Sequence, residues 1–306
     1  MNKKVYRADV LLLLTAAIWG SAFVAQRVGM NHVGPLTFNG IRFALGALVL
    51  VPVILHRNGS DTGRNGFSFP LAGGGILAGT VLFAGATLQQ VGLVYTTAGK
   101  AGFITGLYVI IVPILGLLWG HRPGAGGWIG AVFAAAGLYL LSVTESMTLA
   151  PGDFWVFLGA FFWAFHVLIL GRLSPGMDSI KLACVQFSVC SILSLAGAGV
   201  FETVTLAGLR GAAVPILYGG VLSVGTAYTL QVVAQKDAPP IHAAIILSLE
   251  AVFSAVAGWM ILGEIMGLRG ITGCAIMLTG MLIAQLWPAR EIGSIKKETY
   301  VLDANR

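Results

Sequence analysis

Glu250 is the one carboxylate set deep inside an apolar stretch of this chain, midway along 241–262. A carboxyl there has two readings: it carries a proton or holds a substrate amine, or it ties neighbouring donors together as architecture. Amides and rings elsewhere fall into stripes. Trp19, Phe23 and Gln26 lie on one helical face, and Tyr228, Gln231 and Gln235 recur at i, i+3 and i+7. Thr87 shares a face with Gln90, next to Gln89. Thr105 pairs with Tyr108, and Phe162 with His166, beside Trp163. Side chains of this kind bind a solute that is part apolar and part hydrogen-bonding, or they bond helix to helix, and for any single glutamine both readings stand. Arg42, inside 36–55, reads as an anchor that snorkels outward or satisfies carbonyls at a helix seam. Arg27 and Lys100, at the ends of apolar runs, either attract an anionic group or fix the chain at an interface. Pro113 removes one amide donor and frees the carbonyl of Val109, so a kink there gives 101–120 the means to bend as a gate.

Other chemistries lack their residues. The aspartates Asp9, Asp61, Asp153, Asp178, Asp237 and Asp303 sit at run ends or in loops, not as a mid-run pair. No histidine has HExxH spacing, no lysine lies mid-run, and no glycine-rich loop precedes Lys-Ser or Lys-Thr. Cys184, Cys190 and Cys274 form neither a disulfide framework nor a CxxC pair, and read as small buried side chains. No enzyme class, cofactor or metal is implied. A channel's acidic rings or carbonyl filter are missing as well. The loops give no support to a receptor or scaffold role.

The elements that must hold these residues follow from composition. Of 306 residues, 57% are hydrophobic and 10% charged, with a mean hydropathy of +0.88. Soluble domains carry about 25% charge, so neither a water-soluble fold nor a disordered chain fits. Ten apolar runs are read, near 10–29, 36–55, 70–94, 101–120, 128–143, 153–171, 180–201, 212–235, 241–262 and 267–287. A helix crossing a bilayer needs about 20 such residues. The 42 glycines suit close helix packing in lipid. Lys3, Lys4 and Arg7 precede a run that holds Trp19 and reaches Arg27 without a cleavage site, so it is read as a retained span. With the N-terminus inside, thirteen of the 18 Lys and Arg fall on the inner side and four on the outer, Arg42 lying within a span. That asymmetry predicts both termini cytoplasmic in a plasma (inner) membrane. The net charge of +6 is then a topology signal that needs no nucleic-acid partner.

The chain also resembles itself at a shift near 142. Thr87-Leu88-Gln89 returns as Thr229-Leu230-Gln231, Ala101 and Gly116 as Ala243 and Gly258, and Arg122 and Glu264 mark the same helix end. Trp19 meets Trp163 at a shift of 144. Five spans per copy is an odd number, so the second copy enters the membrane upside down. The prediction is an all-α integral membrane protein, ten transmembrane helices as two inverted five-helix repeats, 1–148 and 149–288, with a basic cytoplasmic tail, 289–306. Such halves bind solute near the midplane between them.

Three segments carry a resemblance. Ala16-Ala17-Ile18-Trp19-Gly20-Ser21-Ala22-Phe23, Ala101-Gly102-Phe103-Ile104-Thr105-Gly106-Leu107-Tyr108 closed by Pro113, and Leu247-Ser248-Leu249-Glu250-Ala251-Val252-Phe253 ending at Leu262-Gly263-Glu264 resemble the motifs of EamA-type members of the drug/metabolite transporter superfamily. The sequence departs from that pattern at Ala251, where proline is common. The resemblance implies ten helices, two repeats, and movement of small metabolites such as amino acids. The expectation is a secondary transporter, an exporter working by alternating access, with proton-coupled antiport as the alternative. Its partners would be a small molecule, the lipid bilayer and protons, and it would act as a monomer or homodimer. Spans one, three, four, six, eight and nine are expected to line the cavity.

Overall fold

In hydrocarbon every backbone N–H and C=O must find its partner inside the protein, and an apolar run meets that demand as a helix. The computed structural model describes residues 3–59, 69–96, 98–121, 123–142, 151–262 and 267–287. Arg64, Arg122, Glu264, the side chain of Lys100 and the tail 289–306 lie outside the described residues. Five spans form the first half: α1 (Lys3–Gly29), α2 (Pro35–Gly59), α3 (Phe69–Tyr95), α4 (Ala98–Gly106) joined to α5 (Tyr108–Leu118), and α6 (Ala125–Ser142). The second half repeats the order. It has α7 (Pro151–Leu173), α8 (Ser179–Phe201), a short α9 (Leu206–Gly211), then α10 (Ala213–Leu217) running through a π-helical segment, Tyr218–Tyr228, into α11 (Thr229–Ala234). It ends with α12 (Pro240–Leu247) joined to α13 (Glu250–Leu262), and α14 (Leu268–Leu286). Among the described residues eight helices are long and apolar enough to cross a membrane, and the shorter apolar helices Ala125–Leu140 and Leu268–Ala284 complete the ten.

The packing is two-fold. α2 lies on its counterpart α8, and α6 on its counterpart α14. α3 packs on α7, as the π segment and α11 pack on α1; α13 packs on α1, as α4 and α5 pack on α7. With five spans in each copy the counterparts run antiparallel, so the halves are inverted. Large apolar side chains such as Leu48, Leu55, Ile76, Ile114, Ile192 and Met260 point outward, as lipid-facing residues do.

Glycine sets the closest seam. A Cβ at Gly137 would lie 2.5 Å from the carbonyl oxygen of Gly273, and one at Gly130 would lie 2.8 Å from that of Gly280. Gly130 and Gly273 are counterparts at a shift of 143, as are Gly137 and Gly280, so the two contacts are one contact made twice. Elsewhere Gly75 and Gly79 pack on α8, Gly126 meets Trp287, and Gly106 meets Leu138. Gly120 serves differently. Its φ of +75° closes α5, with its amide donating to Leu117 and that of His121 to Gly116.

The fourth and ninth spans are interrupted at matching places. Leu107 donates to Ile104 O and Leu249 to Ile246 O, bonds of the tighter i→i−3 kind. The first break falls at Leu107, ahead of Pro113, which sits buried within α5. The second forms without proline at Ala251, and Ser248 Oγ donates to Ile245 O beside it. Gly137→Leu is expected to force α6 from α14 and cost about 1–3 kcal/mol. Gly199→Ala, where the added methyl meets nothing within 4 Å, should leave stability in detergent unchanged. A melting curve of each variant checks this; equal melting would remove the seam from the account.

Candidate substrate cavity

Between the halves lies a narrow cavity of about 30 Å³, above the roughly 10–15 Å³ that one water needs. α1 contributes Trp19, Phe23 and Gln26 as one stripe. α3 gives Gln89; the two sides of the Leu107 break give Thr105 and Tyr108; α7 gives Trp163. The π segment gives Ser223 and Tyr228, α11 gives Gln231, and Glu250 stands at the start of α13. These are the six expected spans. α2 adds a seventh through Arg42.

One wall is aromatic. The Trp19 and Tyr228 ring centroids are 4.4 Å apart, and Trp163 stacks on Tyr228 at 6.1 Å with 28° between planes. Phe43 and Phe187, which are counterparts at a shift of 144, brace Tyr228 from behind at 5.9 and 6.1 Å.

A second wall is polar. Gln89 Oε1 accepts from Trp163 Nε1 at 2.9 Å and from Thr105 Oγ1 at 3.4 Å, while its Nε2 donates to Gln26 Oε1 at 3.2 Å. Gln231 is the counterpart of Gln89, and Trp19 that of Trp163, yet the second half makes no matching bond. Trp19 Nε1 donates instead to the carbonyl of Ser223 at 3.3 Å, and Thr15 Oγ1 donates to that of Ala227. Both carbonyls belong to the π segment, whose widened turns shift hydrogen-bonding groups out of the α register. Gln231 Oε1 is thereby left buried and without a partner. Tyr108 and Glu250 are counterparts as well. The Tyr108 hydroxyl has no hydrogen bond of good geometry, although it lies within electrostatic range of Glu250.

Three candidates lie off the cavity. His166 Nε2 meets Gln186 Oε1 at 2.9 Å and supports the Trp163 and Tyr228 rings from outside. Gln90 Nε2 donates to the backbone of Gln26, which fixes α3 to α1. Thr87 Oγ1 is buried with no partner. Arg42 corrects its sequence reading: it does not snorkel. It is 1% exposed, its guanidinium lies 5.4 Å from the Phe38 ring and 5.0 Å from the Phe43 ring, and Nε donates to Asn39 Oδ1. Sequence reasoning left it out of the site because its position two turns into a span fits an anchor equally well. Gln89 was visible as an amide, but its role as the junction of the network was not.

At the two ends of the bundle the halves are tied together. Glu202, after α8, accepts from the amides of Leu36 and Thr37 and from Thr37 Oγ1 at 2.7–2.8 Å, clamping the first turn of α2. At the other end Arg57 of α2 reaches Asp178, the N-cap of α8, at 3.7 Å. Asp9 and Asp153, counterparts at a shift of 144, each bridge to the opposite half. Asp9 pairs with His242 Nε2 at 2.7 Å, and Asp153 accepts from Thr96 Oγ1 at 2.6 Å.

The same arrangement recurs in known proteins. The EamA-like transporter family matches residues 6–143 and 150–285. A protein of Archaeoglobus fulgidus named an uncharacterized transporter is 30% identical over 285 residues, covering 93% of this chain and 87% of its own length. The transporter YwfM of Bacillus subtilis, likewise named uncharacterized, is 25% identical over 302 residues, with coverage of 95% and 97%. A solved crystal structure superposes with a TM-score of 0.76 at 19% identity, over 94% of this chain and 99% of that one, and supports the fold. Two matches of the family in tandem, each spanning one five-helix half around a shared polar cavity, make this chain a member of the EamA-like transporter family, and a multi-pass membrane transporter.

Proposed function

We propose that the protein exports a small amphipathic metabolite, an amino acid or a related compound, by alternating access between the repeats 1–148 and 149–288. The observation that carries this reading is the cavity itself. Its stacked rings suit an apolar group, and its glutamines, Tyr108 and Glu250 suit a hydrogen-bonding one. The charge asymmetry of the loops supports termini on the cytoplasmic side. A relative in Escherichia coli, YedA, 23% identical over 214 residues, is named an uncharacterized inner membrane transporter, in keeping with that placement. The lining residues all come from one chain, in keeping with a monomer or a homodimer of complete units. Flux of radiolabelled amino acids and of their amide and amine analogues from proteoliposomes tests the reading. Faster release of any of them than from protein-free vesicles supports it, and equal release across the panel rejects it.

Alternating access needs ties at each end that break in turn. The Glu202 clamp closes one mouth and the Asp9–His242 and Arg57–Asp178 pairs the other. In a Phe23→Cys protein, Glu202→Ala should raise labelling by an impermeant thiol reagent from the Asn31 face several-fold, since each hydrogen bond lost to a charged group is worth about 1.5–3 kcal/mol. An unchanged rate would show that the clamp is no gate.

Glu250 favours coupling to protons, as the one carboxylate on the cavity wall among the described residues. Glu250→Gln should then make efflux independent of pH while the wild type depends on it. The same pH profile in both would make Glu250 architectural.

A further inference from the structure

Arg42 brings a cation into the low-dielectric centre of the bundle, where an unpaired charge is costly. Among the described residues no carboxylate forms an ion pair with it; Arg57–Asp178 and His242–Asp9 pair at the ends of the bundle instead. Two aromatic faces and one amide oxygen offset part of the cost. The fold does not demand the charge. At the counterpart position, a shift of 144, stands Gln186, equally buried and bonded to His166. The same helix seam is therefore built once with a guanidinium and once with an amide. Glycine makes room beside it: a Cβ at Gly219 would sit 3.3 Å from Arg42 Cδ.

We propose that Arg42 is the anion anchor of the cavity and that the substrate is a zwitterion, with its carboxylate on the guanidinium. A guanidinium fork matches a carboxylate in charge and geometry. The rest of the wall is complementary. Gln231 Oε1 is a buried acceptor without a donor, and the Tyr108 hydroxyl and Glu250 share the cavity within reach of each other. Those groups accept from an ammonium. The rings of Trp19, Trp163 and Tyr228 take the apolar part of the solute. The proposal deepens the transport reading and rests on it, since it names what the same cavity selects.

The test uses purified full-length protein and three probes of one skeleton: phenylalanine, phenylalaninamide, which keeps the amine but loses the carboxylate, and phenethylamine, which lacks the carboxyl carbon. Leucine and its amide form a second series. Binding is read as quenching of tryptophan fluorescence, because Trp19 and Trp163 line the site. The wild type should bind each acid at least tenfold more tightly than its amide. Arg42→Gln, which installs the residue of the counterpart position, should erase that preference, and Arg42→Lys should keep part of it. A melting curve and a monodisperse elution profile establish that each variant is folded, and the wild-type series stands without any variant. Amides or amines bound as tightly as the acids, no acid bound at all, or a preference that survives in folded Arg42→Gln would overturn the anchor. Flux separates this from the broader reading: vesicles that move phenethylamine but ignore carboxylates leave transport intact and remove the anchor, whereas vesicles that move no solute remove the transport reading.

Discussion

Hydrocarbon offers no partner to a polar group, and this chain nonetheless carries a guanidinium, a carboxyl and several amides to its centre. Everything else in the structure is arranged around that constraint. The ten helices satisfy the backbone. The seam between the two halves then holds the side chains that helices cannot satisfy on their own. Gln26, Thr105 and Trp163 each hydrogen-bond to Gln89 there, and Arg42 rests on two aromatic faces. Remove the inversion of the second half and these groups would face lipid.

The two halves are similar enough to pack as counterparts and different enough to bind. Phe43 and Phe187, Asp9 and Asp153, and the breaks at Leu107 and Leu249 obey the two-fold relation. The cavity departs from it at three places: Tyr108 faces Glu250, Arg42 corresponds to Gln186, and the π segment Tyr218–Tyr228 corresponds to ordinary α-helix in α3. The last departure has a local consequence. By drawing the indole of Trp19 onto the Ser223 carbonyl, the π segment leaves Gln231 with an open acceptor. A symmetric cavity would have satisfied its own amides. The asymmetric one keeps polar capacity free.

Much of this was legible in the sequence. Ten apolar runs, a repeat near 142 residues and stripes of rings and amides gave the span count, the inversion and the six lining spans. The breaks in the fourth and ninth spans were not, because proline marks a lost donor but not the place where the backbone yields. The interruption sits at Leu107, ahead of Pro113, and again at Leu249 with alanine at 251. The π segment was invisible, since it depends on the carbonyl contacts of Thr15 and Trp19 from another helix. Helical periodicity placed Thr87, Gln90 and His166 near the centre, but a few tens of degrees of helix rotation decide whether such a side chain meets the cavity or a neighbour. The same uncertainty hid Arg42, whose length allows it to run outward or inward.

The inversion is the claim on which cavity, gates and selectivity rest, and the loops report it directly. The turn at Asn31 joins α1 to α2, and the turn at Gly176 joins their counterparts α7 and α8. Single cysteines introduced at these two positions, reacted in oriented vesicles with a membrane-impermeant thiol reagent and compared with the background from the native cysteines, should be labelled from opposite faces. Labelling of both from the same face would mean that the halves run in the same sense, and the account would fail.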